Sequence, residues 1–142
     1  MVRSSRKPNI PWANRSPYGW WVASYIQRFE YKGQPRMAAT ARCLAWENMI
    51  LIRAKSRELA YTKAIRFAKE ASPRRWNLFG DPPGRLGRWV FEGLTSLTPI
   101  YDPLEDGSEI IWTEHRNTTL SKVRRRIKAK HLLEVFIDKE KP

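Results

Sequence analysis

The strongest hydrophobic pattern lies near the start of the chain. Residues 19–31, GWWVASYIQRFEY, are dominated by aromatic and β-branched side chains, the composition of a strand. Alternation puts Trp20, Val22, Ser24 and Ile26 on one face and Trp21, Ala23, Tyr25 and Phe29 on the other. Both faces are partly apolar, which predicts a central strand. A loop with Gly33 and Pro35 follows. Residues 43–54 form the next strand, with Leu44, Trp46, Ile50, Ile52 and Ala54 on one face and Cys43, Glu47 and Arg53 on the other. The apolar face, Trp46 included, is expected to be buried. The intervening loop is too short for a crossover, so the two strands should pair antiparallel.

The period then changes. Ala60, Ala64, Phe67, Ala68 and Ala71 recur at helical spacing, with Tyr61 and Ile65 beside them. Ser56 is positioned as the N-cap, and Ser72-Pro73 stops the helix. Residues 72–87 hold Pro73, Gly80, Pro82, Pro83, Gly84 and Gly87 and read as a loop. Strand character returns over 88–101, with Gly93 marking a bulge or a close approach. An acidic turn over 102–107 ends in Asp106-Gly107, and a last strand is expected over 109–115. Asn117 or Thr118 is expected to cap a C-terminal helix with a narrow seam of Leu120, Val123 and Ile127. Beyond Lys130 that seam loses register. The expected fold is α+β: an antiparallel sheet in ββαββ order, one helix packed on a face, and a basic C-terminal helix.

Charge changes this picture. The chain of 142 residues carries a formal net charge of +13. Residues 18–117 hold 15 Lys/Arg against 11 Asp/Glu, which is nearly balanced. Residues 1–17 hold Arg3, Arg6, Lys7 and Arg15 with no acid, and residues 118–142 hold eight Lys/Arg against three acids. The expected organisation is a basic flexible arm over 1–17, a globular domain over 18–117 and a basic helical extension over 118–142. A balanced body with two basic ends is the electrostatic footprint of a protein that meets a polyanion. Ile10, Pro11 and Trp12 are candidates to pin the first arm to the body or to a partner.

Other features bound the problem. One cysteine, Cys43, excludes an intramolecular disulfide and fits a reducing compartment, so a cytoplasmic location is expected. Cys43 itself reads as a small buried or edge residue. No apolar run approaches the roughly 20 residues of a membrane-spanning helix.

Several short stretches resemble a known family. They are Trp21-Val22-Ala23, then Glu47 and Ile50-Leu51-Ile52 with Ala54, Ser56, Ala60-Tyr61 and Ala64. Trp89, Phe91, Gly93-Leu94, Leu104-Glu105-Asp106-Gly107 and Glu109 continue the likeness. Over residues 20–114 the chain resembles the uncharacterised bacterial family known as domain of unknown function 4288. The resemblance implies a small bacterial cytosolic ββαββ domain, and it implies no reaction and no functional residues. Both basic ends lie outside it.

The clearest candidate site is the run over 122–130, where Lys122, Arg124, Arg125, Arg126, Lys128 and Lys130 stand with no acid among them. Such a cluster repels itself, and phosphates relieve the repulsion while releasing counterions. The blander reading is a solvated helix face. Arg74 and Arg75 beside Trp76 suit stacking on unpaired bases, although Trp76 as an anchor closing its loop is the reading favoured here. Arg3, Arg6 and Lys7 complete the candidate nucleic-acid contacts. Trp20, Trp46, Trp89 and Trp112 alternate with apolar neighbours and are expected in the core, whereas Trp12 is the better candidate for a partner contact.

His115 and His131 show no metal-ligand spacing, and the acidic turn lacks the spacing of a calcium loop. No catalytic residue, metal site or cofactor is expected. The function expected is a non-enzymatic module that binds RNA or a ribonucleoprotein through its basic ends, with low sequence specificity. The alternative is an adaptor or immunity-type module that docks on an acidic protein.

Overall fold

The structure is a computed structural model that describes residues 10–34, 38–73, 75–79 and 85–138. The described chain divides into two compact units, one up to Ile111 and one from Trp112 onward.

The first unit is α+β. Its long strands are β1 (Trp20–Tyr31), β2 (Ala45–Arg53) and β4 (Arg85–Pro99); helix α1 (Arg57–Ala71) and a three-residue strand β3 (Asn77–Phe79) separate the last two. The sheet is antiparallel with the order β2-β1-β4-β3. The doubly apolar β1 is indeed central, and Trp21, Val22, Ala23, Ser24 and Tyr25 are all buried. Its pairing with β4 shifts register twice, between Ser24 and Tyr25 and between Ile26 and Gln27. The second shift lies beside Gly93, and each leaves one extra β4 residue, Thr95 and Glu92.

Helix α1 lies on the face of Trp21 and Ala23. Ser56 caps it, its side chain accepting from the Leu59 N–H at 3.2 Å. Ala60, Ala64 and Ala68 are fully buried, because their small side chains let the helix lie close on the sheet. They pack with Trp21, Ala23, Ile52 and Ala54, while Ile50, Phe67, Leu94 and Leu97 close the edges. The indole N–H of Trp21 donates to the Ala54 carbonyl at 3.0 Å, joining β1 to the chain just before the helix. At the helix end the Ser72 hydroxyl donates to Gln27 Oε1 at 2.7 Å, so a buried glutamine on β1 is satisfied.

The described part of the N-terminal arm is not detached from this unit. A 3-10 turn at Trp12–Asn14 sets Trp12 against Tyr101, ring centroids 5.8 Å apart, and the Tyr101 hydroxyl donates to the Ala13 carbonyl. The Ser16 hydroxyl donates to the Trp20 and Ile100 carbonyls.

Several expectations need correction. Residues 109–115 form no strand, and Ile110, Ile111 and Trp112 are exposed. Alternation there is poor, with two isoleucines adjacent and no neighbouring strand to pair with. The last strand expected over 109–115 is therefore not observed, and the two strands that follow α1 among the described residues are β3 and β4. The stretch read as a loop over 72–87 contains β3 and the start of β4. Cys43 is exposed, and Ala71 falls off the buried helix stripe. Trp46, expected in the core, is 54% exposed. It lies on the face that alternation gives it, but α1 covers only the end of that face nearest Ile52.

The second unit holds a short helix, α2 (Leu120–Arg125), and 3-10 turns at Lys130–Leu132 and Glu134–Phe136. Its cap is Thr119 rather than Asn117 or Thr118: the Thr119 hydroxyl accepts from the Lys122 N–H at 3.2 Å. Asn117 instead adopts a left-handed conformation, φ 54°. The basic helix expected through residue 130 ends after Arg125.

Candidate nucleic-acid interface

The basic run of the second unit begins on α2. Lys122, Arg124 and Arg125 stand in its last turn, where cations oppose the negative end of the helix dipole. Arg126 follows at the C-cap, and Lys128 and Lys130 lie beyond it. All six are exposed. Lys128 pairs with Glu134 at 2.6 Å, which lowers the Glu134 pKa through that hydrogen bond. Lys130 lies over the Phe136 ring, 5.2 Å from its centre. Among the described residues, Lys128 is the one of the six with a carboxylate in reach. The seam of Leu120, Val123 and Ile127 is exposed too. Arg3, Arg6, Lys7 and Arg74 lie outside the described residues.

The first unit holds a surface that alternation alone did not reveal. Beyond the C-terminal end of α1, the helix-side face of the sheet carries a continuous line of rings. The Trp46 and Trp89 centroids are 4.7 Å apart at 38°. Trp89 meets Phe29 edge-on at 5.3 Å, and Phe29 meets Tyr31 edge-on at 4.9 Å. The Arg85 guanidinium ends the line, 3.9 Å from the centre of the Tyr31 ring. Register explains the assembly. Gln27 pairs with Trp46 on one side and Phe91 on the other, and Phe29 pairs with Trp89, so side chains from three strands converge on one face.

Gly87 makes room for the Phe29 ring. A Cβ at that position would lie 2.3 Å from Phe29 Cζ, closer than any packed carbon pair. Next to the rings a cleft of about 460 Å³ opens between the end of α1 and β4, lined by Lys69, Ser72, Pro73, Arg88, Trp89, Val90 and Phe91. Arg75 is exposed, and Trp76 is half-buried with the Arg88 guanidinium 4.1 Å from its ring centre.

On the opposite face the charges are neutralised in place. Glu30 accepts from Arg28 at 2.7 Å and from Arg88 at 2.6 Å, and Arg28 also reaches Glu92 at 2.5 Å. The hydrogen bond from Arg28, with a smaller contribution from Arg88, holds the Glu30 carboxyl below its ordinary value, and the bonds to Glu30 and then Glu92 raise Arg28. This cluster is a structural tie between β1 and β4. Among the described residues no group of three or more His, Cys, Asp or Glu side chains is placed to hold a metal ion.

Register is the signal that would have found the ring line. Trp46 and Trp89 are 43 positions apart in sequence, and nothing local links them. Once Gln27 is set between Trp46 and Phe91, and Phe29 opposite Trp89, their shared face follows.

The family described as Domain of unknown function (DUF4288) matches residues 20–112, a span that closes at the boundary between the two units. No curated protein and no solved structure matches the chain.

Proposed function

The chain belongs to the domain of unknown function 4288 (DUF4288) family, and from its basic segments, not from the family, we propose that it is a non-enzymatic module that binds RNA or a ribonucleoprotein through them. The observation that carries this reading is the exposed run of Lys122, Arg124, Arg125, Arg126, Lys128 and Lys130. Arg75 on the first unit is also exposed, and Arg74, Arg3, Arg6 and Lys7 are candidate contacts by sequence alone. Backbone phosphates supply the affinity, so sequence specificity is low. The free, exposed Cys43 supports a reducing compartment, and the cytoplasm is the location we propose. No helix among the described residues is long and apolar enough to cross a membrane.

A salt titration tests the proposal. Affinity for a fluorescent single-stranded RNA should fall linearly in log–log form, at about −0.7 for each phosphate neutralised. Five or so contacts give a slope of about −3 to −4. Reversing Arg124, Arg125 and Arg126 to Glu should make the slope shallower by about 2 units. An unchanged slope removes this segment from the interface.

One observation favours the alternative of an acidic protein partner. Leu120, Val123 and Ile127 are exposed on the same segment as the cations, and an apolar seam contributes nothing to phosphate binding. Retention of a partner after exhaustive nuclease digestion would support that second reading.

A further inference from the structure

We propose that the ring line Trp46–Trp89–Phe29–Tyr31, with the adjoining cleft at the end of α1, is a stacking shelf for the unpaired bases of single-stranded RNA. The proposal rests on the RNA-binding reading above. It assigns a second role, base contact, to a part of the molecule remote in sequence from the basic run.

Three observations carry it. First, the shelf is aromatic and is open at Trp46. Trp46 is more than half exposed although it sits on a packed sheet face, and α1 stops at Ser72 before covering it. A large ring left in water costs hydrophobic free energy that a base laid on it returns. Second, the rings hold one another. The Trp46–Trp89, Trp89–Phe29 and Phe29–Tyr31 contacts fix them before any ligand arrives, so little side-chain entropy is lost on stacking. Third, the rim is cationic. Arg85 stands at one end of the line, Lys69 on the cleft wall and Arg75 at the loop after α1. Aromatic faces interleaved with cations, beside a cleft whose described lining includes no carboxylate, suit bases whose phosphates run along the rim.

Duplex RNA does not meet these requirements, because its bases are stacked inside the helix and closed to a protein ring. The shelf therefore distinguishes single strands from duplexes, whereas the basic run, which reads phosphates, binds both. A peptide strand added to the open edge of β4 is the competing occupant. It would need backbone pairing and no particular ring.

The test uses the full chain and three probes: a short oligouridylate, an abasic phosphodiester strand of the same length, and inorganic polyphosphate. Trp46→Ala should weaken oligouridylate binding about ten-fold, the scale of one lost base–ring stack, and leave both base-free probes unchanged. Trp46→Phe should recover most of the loss. Arg85→Gln, an exposed substitution, should weaken oligouridylate several-fold and serves as the reporter if Trp46→Ala unfolds.

Wild-type tryptophan fluorescence should be quenched by oligouridylate and not by polyphosphate. If Trp46→Ala and Arg85→Gln bind oligouridylate as wild type does, with its salt slope intact, the shelf is refuted and the RNA-binding reading stands. If the wild-type chain binds no probe, both fall. Equal losses on the oligouridylate and the abasic strand refute base stacking and leave a purely electrostatic contact.

Discussion

Replacing Gly87 by alanine adds one methyl group at the most crowded point of the ring line. That methyl carbon would lie 2.3 Å from Phe29 Cζ and 3.0 and 3.1 Å from the two flanking ring carbons. Packed carbons rest at about 3.5–4.0 Å, so the ring has to move by more than about 1 Å. Phe29 is not free to do so, because Tyr31 lies edge-on to it at 4.9 Å and Trp89 at 5.3 Å. Overpacking of this kind costs about 1–3 kcal/mol. Alanine returns about 0.5–1 kcal/mol by restricting the unfolded chain. The net expectation is a loss of about 1–2 kcal/mol in urea unfolding, with altered near-ultraviolet dichroism from the coupled tryptophans. The control is Gly87→Ala in a Phe29→Ala background, where the clash is gone and the same change should be neutral or slightly stabilising. An equal cost in both backgrounds, or none in the wild type, refutes the claim that Phe29 is pinned over Gly87.

Two tryptophans on the same sheet face should behave differently. Trp21 is buried and donates to Ala54, so Trp21→Ala should cost about 3–5 kcal/mol, while the half-exposed Trp46→Ala should cost well under half of that in parallel denaturation curves. Acid should also loosen the β1–β4 tie. The Glu30 carboxyl is held below its ordinary value by Arg28 and Arg88, so its stabilisation is complete above that value and is lost as pH falls through the folded one. Stability measured from pH 7 towards pH 3 should therefore decline less steeply in Glu30→Gln than in wild type, and parallel curves would remove Glu30 from the account.

The elements that were legible in the sequence are those whose local chemistry and long-range packing agree. β1 carries apolar side chains on both faces, and only a central position buries both. α1 has a serine to start it, a Ser-Pro to stop it and three alanines at four-residue spacing to lay it on the sheet. The failures have a common physical source. Alternation fixes the face a strand residue points to and says nothing of what covers that face. Alternation puts Trp46 on the helix side of β2, yet a helix of 15 residues spans only about 22 Å and begins at the opposite end of the strand. Over 109–115 the chain has the right residue types for a strand but gains no partner, since the sheet is extended by β3 instead. Cation density at the C-terminus was plain from composition, while the shelf required the register of three strands.

The stop at Ser72 links fold to proposed function. One more helical turn would carry α1 over Phe91 and Trp89 and bury rings that now face water. Burial of that kind stabilises, at about 25 cal/mol for each Å² of apolar surface covered, so a chain shaped for stability alone would gain by continuing. Instead Pro73 prevents continuation, and the Ser72 hydroxyl satisfies Gln27, the polar residue set between the flanking aromatic positions. Gly87 gives up a side chain to admit Phe29 to the line. These are three separate departures from what packing alone would choose, and they converge on one surface. Departures that converge in this way are where function is to be sought. The basic run alone accounts for attraction to phosphates, but it gives no reason for a helix that stops short of an aromatic face.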